Sequence, residues 1–218
     1  MIEEVLPPEV AAAEAFEDAA GPVLFPEEEA VILRAVDKRR REFTTARACA
    51  RAALAELGLP ATPIVPGVHG APQWPPGVVG SITHCAGYRA AAVARAREVV
   101  TLGLDAEPNE ALPAGVLADI TIGAERAWLP GVSAAVPEVC WDRLIFSAKE
   151  SVYKAWFPLT GRWLGFDQAA ITVESAAGRF GARLLVPGPA VGGRQLAAFA
   201  GRWLVRHGLI LTAITVPA

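Results

Sequence analysis

The chain has 218 residues, of which 53% are hydrophobic and 20% are charged, and its formal net charge is −3 at pH 7. This composition is typical of a folded protein with a sizeable core and excludes an intrinsically disordered chain. The length fits one domain or two small halves packed together. Because the charge balance is slightly acidic, no global basic field draws the chain to nucleic acid or anionic lipid, and we expect neither as a partner.

The cysteines and the start of the sequence predict a cytoplasmic protein. Cys49, Cys85 and Cys140 are odd in number, lie far apart and form no Cys-x-x-Cys pair. We therefore expect free thiols in a reducing compartment rather than a disulfide framework or a zinc site. The sequence begins with acidic residues where a secretory signal would be basic, and no uncharged apolar run approaches the roughly 20 residues of a membrane span.

The first half of the sequence predicts one long helix followed by strands. Residues 1–26 are proline-rich and predict an extended segment with one helical turn. Residues 27–57 predict a helix, because helix formers dominate until Gly58 and Pro60. Six prolines within residues 60–78 predict a loop. Short apolar stretches then predict strands over Val78–Thr83, Ala90–Ala94 and Val99–Asp105.

The second half predicts a helix and a series of strands. A short helix is expected around Glu125–Leu129, ended by Pro130 and Gly131. The clearest helix is Trp141–Phe157, which Pro158 stops. Its apolar residues recur at helical spacing on one stripe of Trp141, Ile145, Ala148, Val152 and Trp156. Strands are predicted over Ala169–Glu174, Arg179–Val186, Gly201–Arg206 and Leu209–Val216, with His207-Gly208 as a hairpin turn.

Two acidic residues close the strand that ends near Asp105. Because side chains alternate along a strand, Asp105 and Glu107 point the same way if the extended conformation continues through Ala106, and Pro108 then ends the strand. The two carboxylates and the carbonyl oxygen of Ala106 are ligands of the kind that Mg²⁺ prefers. An isolated Asp-x-Glu is more often an acidic turn that faces solvent, so this motif alone leaves both interpretations open.

A second set of charged residues lies on the Trp141–Phe157 helix. The chain has three lysines and seventeen arginines, and two of the lysines are Lys149 and Lys154. Unlike arginine, lysine is a compact charge that can give up its proton. Glu150 and Lys154 are four residues apart and share a helix face, either as an ordinary surface ion pair or as part of a cleft. Together with Asp105 and Glu107, they predict a metal-assisted phosphoryl-transfer site.

Candidate phosphate-binding groups lie in the first half of the chain. Ser81 and Thr83 alternate along a predicted strand that His84 ends, and their hydroxyls could donate to phosphate oxygens. Six positive groups lie between Lys38 and Arg51. Either they form a solvated helix face or they bind an anion, since the guanidinium fork matches phosphate geometry.

Three motifs, in this order, resemble those of the 4′-phosphopantetheinyl transferases of the surfactin and enterobactin type, most closely the actinobacterial members. They are Gly80–His84, Gly103–Glu107 and Phe146–Lys154. The family has isoleucine or valine where this chain has Leu104, and often tryptophan where it has Phe146, and both changes preserve apolar packing. Relatives often have a lysine in the loop where this chain has Pro66 and His69.

The resemblance implies an α+β fold in which two similar α/β halves form a pseudo-dimer within one chain, with the active site in the cleft between them. The expected halves are residues 1–102, on the nucleotide side, and residues 103–218, with the metal and the catalytic helix. A faint internal similarity between residues 45–47 and 147–149 agrees with two related halves. Because such a chain completes its own cleft, we expect a monomer.

The implied reaction moves the 4′-phosphopantetheine group of coenzyme A to a serine hydroxyl of an apo carrier protein and releases 3′,5′-ADP. The carrier proteins are those of fatty-acid, polyketide and nonribosomal-peptide synthases, including siderophore synthases. The metal would be Mg²⁺, with Mn²⁺ as an alternative. The resemblance assigns catalysis to Glu150 and Lys154, and metal binding to Asp105, Ala106, Glu107 and Glu150. It assigns coenzyme A binding to Arg39, Arg47, His69, Ser81, Thr83, His84, Lys149 and Lys154.

Two other functions remain open at the level of the sequence. A magnesium-dependent phosphohydrolase could use the same acids with water as the nucleophile. A non-catalytic module could bind coenzyme A or a carrier protein without chemistry. The second is disfavoured because carboxylates close to phosphates are repulsive unless a metal lies between them.

Overall fold

The computed structural model describes residues 1–18, 21 and 23–218, and in this part of the chain five α-helices and ten strands form an α+β fold. The helices are α1 (Pro26–Ile32), α2 (Asp37–Glu56), α3 (Val116–Ile120), α4 (Gly123–Ala135) and α5 (Trp141–Thr160). The strands are β1 (Val10–Ala15), β2 (Val78–Cys85), β3 (Tyr88–Arg95), β4 (Val99–Pro108), β5 (Ala169–Glu174), β6 (Arg179–Leu184), β7 (Ala190–Val191), β8 (Arg194–Gln195), β9 (Ala198–Arg206) and β10 (Leu209–Pro217).

The N-terminal half is a three-stranded antiparallel sheet with α2 on one face. The strand order is β1-β3-β2. Ala50 and Leu54 of α2 pack against Ala91 and Val93 of β3. The opposite face of β3 packs against β4 and β10. Because four of the eight residues of β3 are alanines, a helix and a second sheet can both approach it closely.

The C-terminal half repeats this plan with a five-stranded antiparallel sheet and α5. Its strand order is β4-β10-β9-β6-β5. The predicted apolar stripe of α5, from Trp141 to Trp156, is buried against this sheet, which confirms the helical spacing. The two halves are therefore similar, each with a long helix on an antiparallel sheet. The division after residue 102 stays a prediction, and it falls within β4.

The structure differs from the sequence prediction at several elements. The helix expected over residues 27–57 is broken into α1 and α2, and the side chain of Arg40 bonds the carbonyl of Ile32 at the break. Strand β1 was not predicted, because its alanines have low strand propensity and it forms by pairing with β3. The β7–β8 hairpin was also missed. No helix in the described part of the chain is long and apolar enough to cross a membrane.

Two helices continue past the prolines that were expected to end them. Helix α4 contains Pro130 and runs to Ala135, and α5 contains Pro158 and runs to Thr160. In α5 the last turn is completed by hydrogen bonds after the proline, because the N–H of Gly161 donates to the carbonyl of Phe157 at 2.8 Å. Gly161 has a φ of 62°, so the helix ends at this left-handed residue rather than at Pro158.

Gly103 allows α5 to lie directly against β4. A Cβ atom at this position would be 2.0 Å from the carbonyl oxygen of Ser151 and 2.8 Å from the amide nitrogen of Ala155. Both are backbone atoms, so the helix itself would have to move. The absence of a side chain at Gly103 thus sets the spacing between the strand that carries Asp105 and the helix that carries Glu150.

We expect Gly103→Ala to destabilise the protein by about 3 kcal/mol or more, because overpacking against backbone cannot be relieved by a rotamer change. Chemical denaturation measures the free energy of unfolding. Gly131→Ala is the matched control, since Gly131 lies within α4 and a Cβ there meets nothing within 4 Å. It should stabilise α4 by roughly 0.5–1 kcal/mol. Equal effects of the two substitutions would contradict this account of the helix–strand contact.

Candidate active site

A cavity of about 670 Å³ lies between the two halves. Its walls come from α1, α2, the loop before β2, β2 itself, β4 and α5. The cavity brings together seven of the residues that the sequence singled out, namely Arg39, Arg47, His69, Ser81, His84, Glu150 and Lys154. Five others do not line it: Thr83, Asp105, Ala106, Glu107 and Lys149.

Asp105 is connected to the cavity through Lys154. The Nζ atom of Lys154 donates to Oδ1 of Asp105 at 2.7 Å and to the carbonyl of Leu104 at 2.9 Å. The lysine of the helical motif therefore pairs with the aspartate on β4, and not with Glu150 as in a simple surface ion pair. A charge-assisted bond of this length holds the strand and the helix motif in contact.

The other oxygen of Asp105, Oδ2, is buried and has no hydrogen-bond partner among the described residues. Leaving a buried anionic oxygen without a partner is costly, and such a group in a native protein calls for an explanation. A bound cation would supply one. In the described part of the chain, however, no group of three or more His, Cys, Asp or Glu side chains is arranged as metal ligands.

Glu107 lies on the same side of β4 as Asp105, as the alternation of strand side chains predicts. Its Oε2 accepts a hydrogen bond from Nη1 of Arg143 at 3.0 Å. Arg143 also donates to the carbonyls of Glu110 and Ala111. Burial and the charge of Asp105 raise the pKa of Glu107, and Arg143 opposes this effect. The two acids of the motif are thus each paired with a cation of α5.

Glu150 lines the cavity on the face of α5 that also carries Lys154. Burial raises the pKa of Glu150 above the usual range of a carboxyl group, the charge of Asp105 raises it further, and Lys154 lowers it. A carboxylate with a raised pKa accepts a proton more readily, which is the property required of a general base near neutral pH.

Two basic residues meet at the nucleotide side of the cavity. Nη1 of Arg39 lies 2.7 Å from Nε2 of His84, and because a guanidinium only donates, the imidazole nitrogen accepts. Partial desolvation and the charge of Arg39 lower the pKa of His84, which favours this neutral form. An arginine and a histidine aligned in this way present N–H groups to an anion in the cavity.

Arg47 is buried deeper in the same wall. Its Nε donates to the carbonyl of Ile64 at 3.0 Å, and its guanidinium carbon lies 3.8 Å from the centre of the Phe43 ring. Burial lowers the pKa of Arg47 to about 10, with the nearby charges of Arg39 and Arg51 adding to the effect and Glu28 opposing it. The side chain is still charged at neutral pH and is held by its packing.

His69 belongs to an aromatic cluster at the loop side of the cavity. Its φ of 53° places it in the left-handed region, which only a few non-glycine residues adopt. Its ring lies 5.5 Å from that of Phe157 and 6.0 Å from that of Trp163. Trp163 is 67% exposed although it is large and apolar.

The hydroxyls of Ser81 and Thr83 are used within the protein. Oγ of Ser81 accepts the N–H of Leu104 at 3.0 Å, and Oγ1 of Thr83 accepts the N–H of Ala106 at 2.9 Å. Thr83 also lies 3.4 Å from Oδ1 of Asp105. These bonds join β2 to β4, which are in different sheets. The alternation of Ser81 and Thr83 along β2 therefore serves to join the two halves, in addition to any contact with phosphate.

Lys149 is not brought to the cavity. Its Nζ donates to Oε2 of Glu125 at 2.9 Å and to the carbonyl of Phe166 at 2.6 Å. The side chain is buried with its carboxylate partner on the side of α5 that faces α4 and β5. For this reason we leave Lys149 out of the coenzyme A contacts that we propose below.

Sequence reasoning missed two partners of the motif residues. Arg143 lies seven residues before Glu150, which is two helical turns, so helical spacing along α5 could have found it. Glu125 lies 24 residues before Lys149, and no local pattern connects the two. The partner of a buried charge can come from any distance in the chain, and only the fold identifies it.

Comparison with known proteins identifies the family. Residues 27–94 match the family model described as the 4′-phosphopantetheinyl transferase N-terminal domain, and residues 101–190 match that of the 4′-phosphopantetheinyl transferase superfamily.

Three relatives are similar to this chain over nearly its whole length. 4′-Phosphopantetheinyl transferase Svp of Streptomyces mobaraensis is 59% identical over 100% of this chain and 90% of its own length. PptT of Mycobacterium tuberculosis is 50% identical over 99% of this chain and 98% of its own length. Npt of Nocardia iowensis is 51% identical over 98% of this chain and 99% of its own length. The chain therefore belongs to the 4′-phosphopantetheinyl transferases, which transfer the phosphopantetheine group of coenzyme A to a serine of a carrier protein.

Proposed function

We propose that this transferase depends on Mg²⁺ and that Glu150 is the base that activates the carrier serine. The observation that carries the proposal is the buried Oδ2 of Asp105, which has no partner among the described residues. Mg²⁺ typically takes one or two protein carboxylates and completes its shell with water and phosphate oxygens. A preformed group of three acids is therefore not required for such a site.

The residues that would hold the ion are Asp105, Glu107 and Glu150, with the carbonyl of Ala106 as a further ligand. The charge of Asp105 raises the pKa of both glutamates, which supports their proximity to it. When bound, the ion neutralises charge on the diphosphate of coenzyme A. Mn²⁺ has similar ligand preferences and is the alternative.

The roles that we propose for Glu150 and Lys154 in the transfer are as follows. Glu150 takes the proton of the serine hydroxyl, whose oxygen then forms the new bond to phosphorus. The bond from that phosphorus to the bridging oxygen breaks, and 3′,5′-ADP leaves. Lys154 stabilises the charge that develops on the leaving phosphate.

The nucleotide end of coenzyme A would be held on the opposite wall. We assign Arg39 and His84 to the 3′-phosphate, and their position side by side at the cavity supports this assignment. Arg47, His69 and Ser81 line the same cavity. Thr83 is separated from the cavity and acts through Asp105, whose Oδ1 it contacts.

One assay distinguishes this function from the two rivals. The protein is incubated with coenzyme A, Mg²⁺ and an apo carrier protein, and the carrier is weighed by mass spectrometry. A gain equal to one phosphopantetheine group, absent when a chelator removes the metal, supports the proposal. Release of phosphopantetheine without a gain on the carrier would indicate a hydrolase. Binding of coenzyme A without either product would indicate a binding module.

Lys154→Arg tests whether the lysine contributes more than charge. The substitution keeps the charge, but the larger fork does not reproduce the two short bonds to Asp105 and Leu104, and it cannot give up a proton. We expect kcat to fall by about tenfold or more. Activity equal to that of the wild type would show that Lys154 acts only through its charge. Lys38→Arg, on the exposed side of α2, is the control and should leave kcat unchanged.

The carrier proteins that we propose are those of fatty-acid, polyketide and nonribosomal-peptide synthases. A further relative, enterobactin synthase component D of Salmonella typhi, is 38% identical over 64% of this chain and 57% of its own length, and its name supports siderophore synthases among them. Three earlier predictions stand beside this proposal: a cytoplasmic location, from the cysteines and the start of the sequence; a monomer, from a chain that completes its own cleft; and no nucleic-acid or membrane partner, from the charge balance.

A further inference from the structure

Lys149 belongs to the Phe146–Lys154 motif, yet the proposed chemistry gives it no role. Its side chain is 2% exposed and that of Glu125 is 1% exposed. The side chains around them are mainly apolar, among them Ile145, Phe146 and Phe166. Removing two charges from water is costly even when they are paired, so a buried ion pair of this kind is weak evidence for stability. Its position beside Glu150 points to another role.

The pair joins four segments of the C-terminal half. Lys149 on α5 donates to Glu125, near the start of α4, and to the carbonyl of Phe166, in the turn before β5. Oε1 of Glu125 accepts the N–H of Ile171 on β5 at 2.7 Å, and Oε2 accepts the N–H of Ile122 at 2.8 Å. Hydrogen bonds require a particular direction between donor and acceptor, whereas hydrophobic contacts do not. The pair therefore fixes an orientation that the apolar stripe of α5 only approximates.

The orientation of α5 about its axis decides where its catalytic groups lie. Glu150 follows Lys149 directly, at about 100° around the helix. A rotation that drew Lys149 away from Glu125 would carry Glu150 and Lys154 through the same angle. Since reacting groups tolerate little displacement, such a rotation would impair proton transfer without dismantling the cavity.

We propose that Lys149 and Glu125 are positioning residues for the transfer reaction. Their ion pair sets the rotation of α5 and thereby holds Glu150 and Lys154 at the cavity. Neither residue touches substrate. This inference rests on the roles proposed above for Glu150 and Lys154. It also explains why a lysine stands at position 149 in a chain with seventeen arginines and only two other lysines, because the compact ammonium fits between one carboxylate oxygen and one carbonyl.

The test replaces both partners in the full chain, with Lys149→Met and Glu125→Gln together. The single Lys149→Met substitution leaves a buried carboxylate without its cation and is expected to lose stability, whereas the double variant removes both charges. Glutamine at position 125 keeps one acceptor oxygen, which can serve the N–H of Ile171 or that of Ile122 but not both, because the amide nitrogen only donates. The measurements are kcat, the Kd of coenzyme A by calorimetry and the melting temperature.

We expect the double variant to fold and kcat to fall by about 10- to 100-fold. The Kd of coenzyme A should stay within about threefold, because the proposed nucleotide contacts come from α2, β2 and the loop before it. Ile145→Val is the matched control, since Ile145 is buried on the same helix near the pair but bonds neither partner. It should lower the melting temperature and keep kcat within about twofold of the wild type.

A double-mutant cycle separates this inference from the proposed function. If Lys149 acts through Glu150, the paired replacement should reduce kcat much less in a Glu150→Gln background than in the wild type. The inference is overturned by a folded double variant with wild-type kcat, by a parallel loss of kcat and coenzyme A affinity, or by failure of the variants to fold. Full activity of Glu150→Gln alone would instead overturn the proposed base.

Discussion

Replacing Glu150 with glutamine should lower kcat by about 10²- to 10⁴-fold, the usual contribution of a general base. Glutamine has nearly the same shape, so the cavity wall is retained, but it cannot accept the serine proton. The Kd of coenzyme A should change little, because Arg39, Arg47 and His84 lie on other elements. Single-turnover kinetics with an apo carrier and calorimetry with coenzyme A measure the two quantities.

Glu56→Gln is the matched control for this variant, because Glu56 is an exposed helical glutamate at the end of α2. It should leave both quantities at the wild-type level. If Glu150→Gln turned over at the wild-type rate, the base would have to be another group. If it lost affinity for coenzyme A in proportion to kcat, Glu150 would contribute to binding and not to proton transfer.

The same residue sets the expected pH dependence of turnover. Burial and Asp105 raise the pKa of Glu150, so the carboxyl group holds its proton to a higher pH than a free glutamate. A protonated carboxyl group cannot act as a base. The value of kcat/KM, which reports the free enzyme to which this pKa belongs, should therefore fall as the pH is lowered through the raised pKa and rise as the pH increases through it. An acid limb at the pKa of a free glutamate would contradict the assignment.

Replacing Asp105 with alanine should reduce kcat by at least about 10³-fold, because it removes both a metal ligand and the anionic partner of Lys154. The expected effect on stability is small or even favourable. Oδ2 of Asp105 is buried without a partner among the described residues, so its removal relieves a desolvation cost. In this variant the ammonium of Lys154 keeps its hydrogen bond to the carbonyl of Leu104 and remains partly exposed to water.

Loss of activity without loss of stability is the signature of a residue kept for function. Thermal unfolding and kcat should be measured on the same preparation. Glu174→Ala, on the exposed end of β5, is the control and should change neither. A variant of Asp105 that unfolds at much lower temperature would place the residue among the structural groups instead.

The sequence predicted the parts of the site that depend on local periodicity. Helical spacing placed Glu150 and Lys154 on one face, and strand alternation placed Asp105 beside Glu107. The hydrogen-bond partners of these residues were not predictable, because they depend on how the two halves pack together. Lys154 pairs with Asp105 across the contact at Gly103, and Ser81 and Thr83 are occupied by backbone groups of β4.

The helices and strands were likewise predictable where local periodicity determines them, and not where contacts between segments do. The apolar stripe of α5 was strong enough to predict the helix, but not its continuation through Pro158, which depends on the bonds of the last turn. Strand β1 has almost no signal of its own and forms because β3 offers an edge. Lys149 shows the limit most clearly, since Glu150 and Lys154 of the same motif face the cavity while Lys149 pairs with a glutamate that no local pattern identifies.

The most direct test is the position of a metal in crystals of the protein grown with coenzyme A and Mn²⁺, located by anomalous scattering. The account predicts an ion within about 2.0–2.3 Å of Oδ2 of Asp105, with a carboxylate oxygen of Glu150 and the diphosphate in the same shell. The account would be contradicted if coenzyme A were bound in the cavity and no cation contacted Oδ2 of Asp105. It would also be contradicted if the ion were bound at other residues.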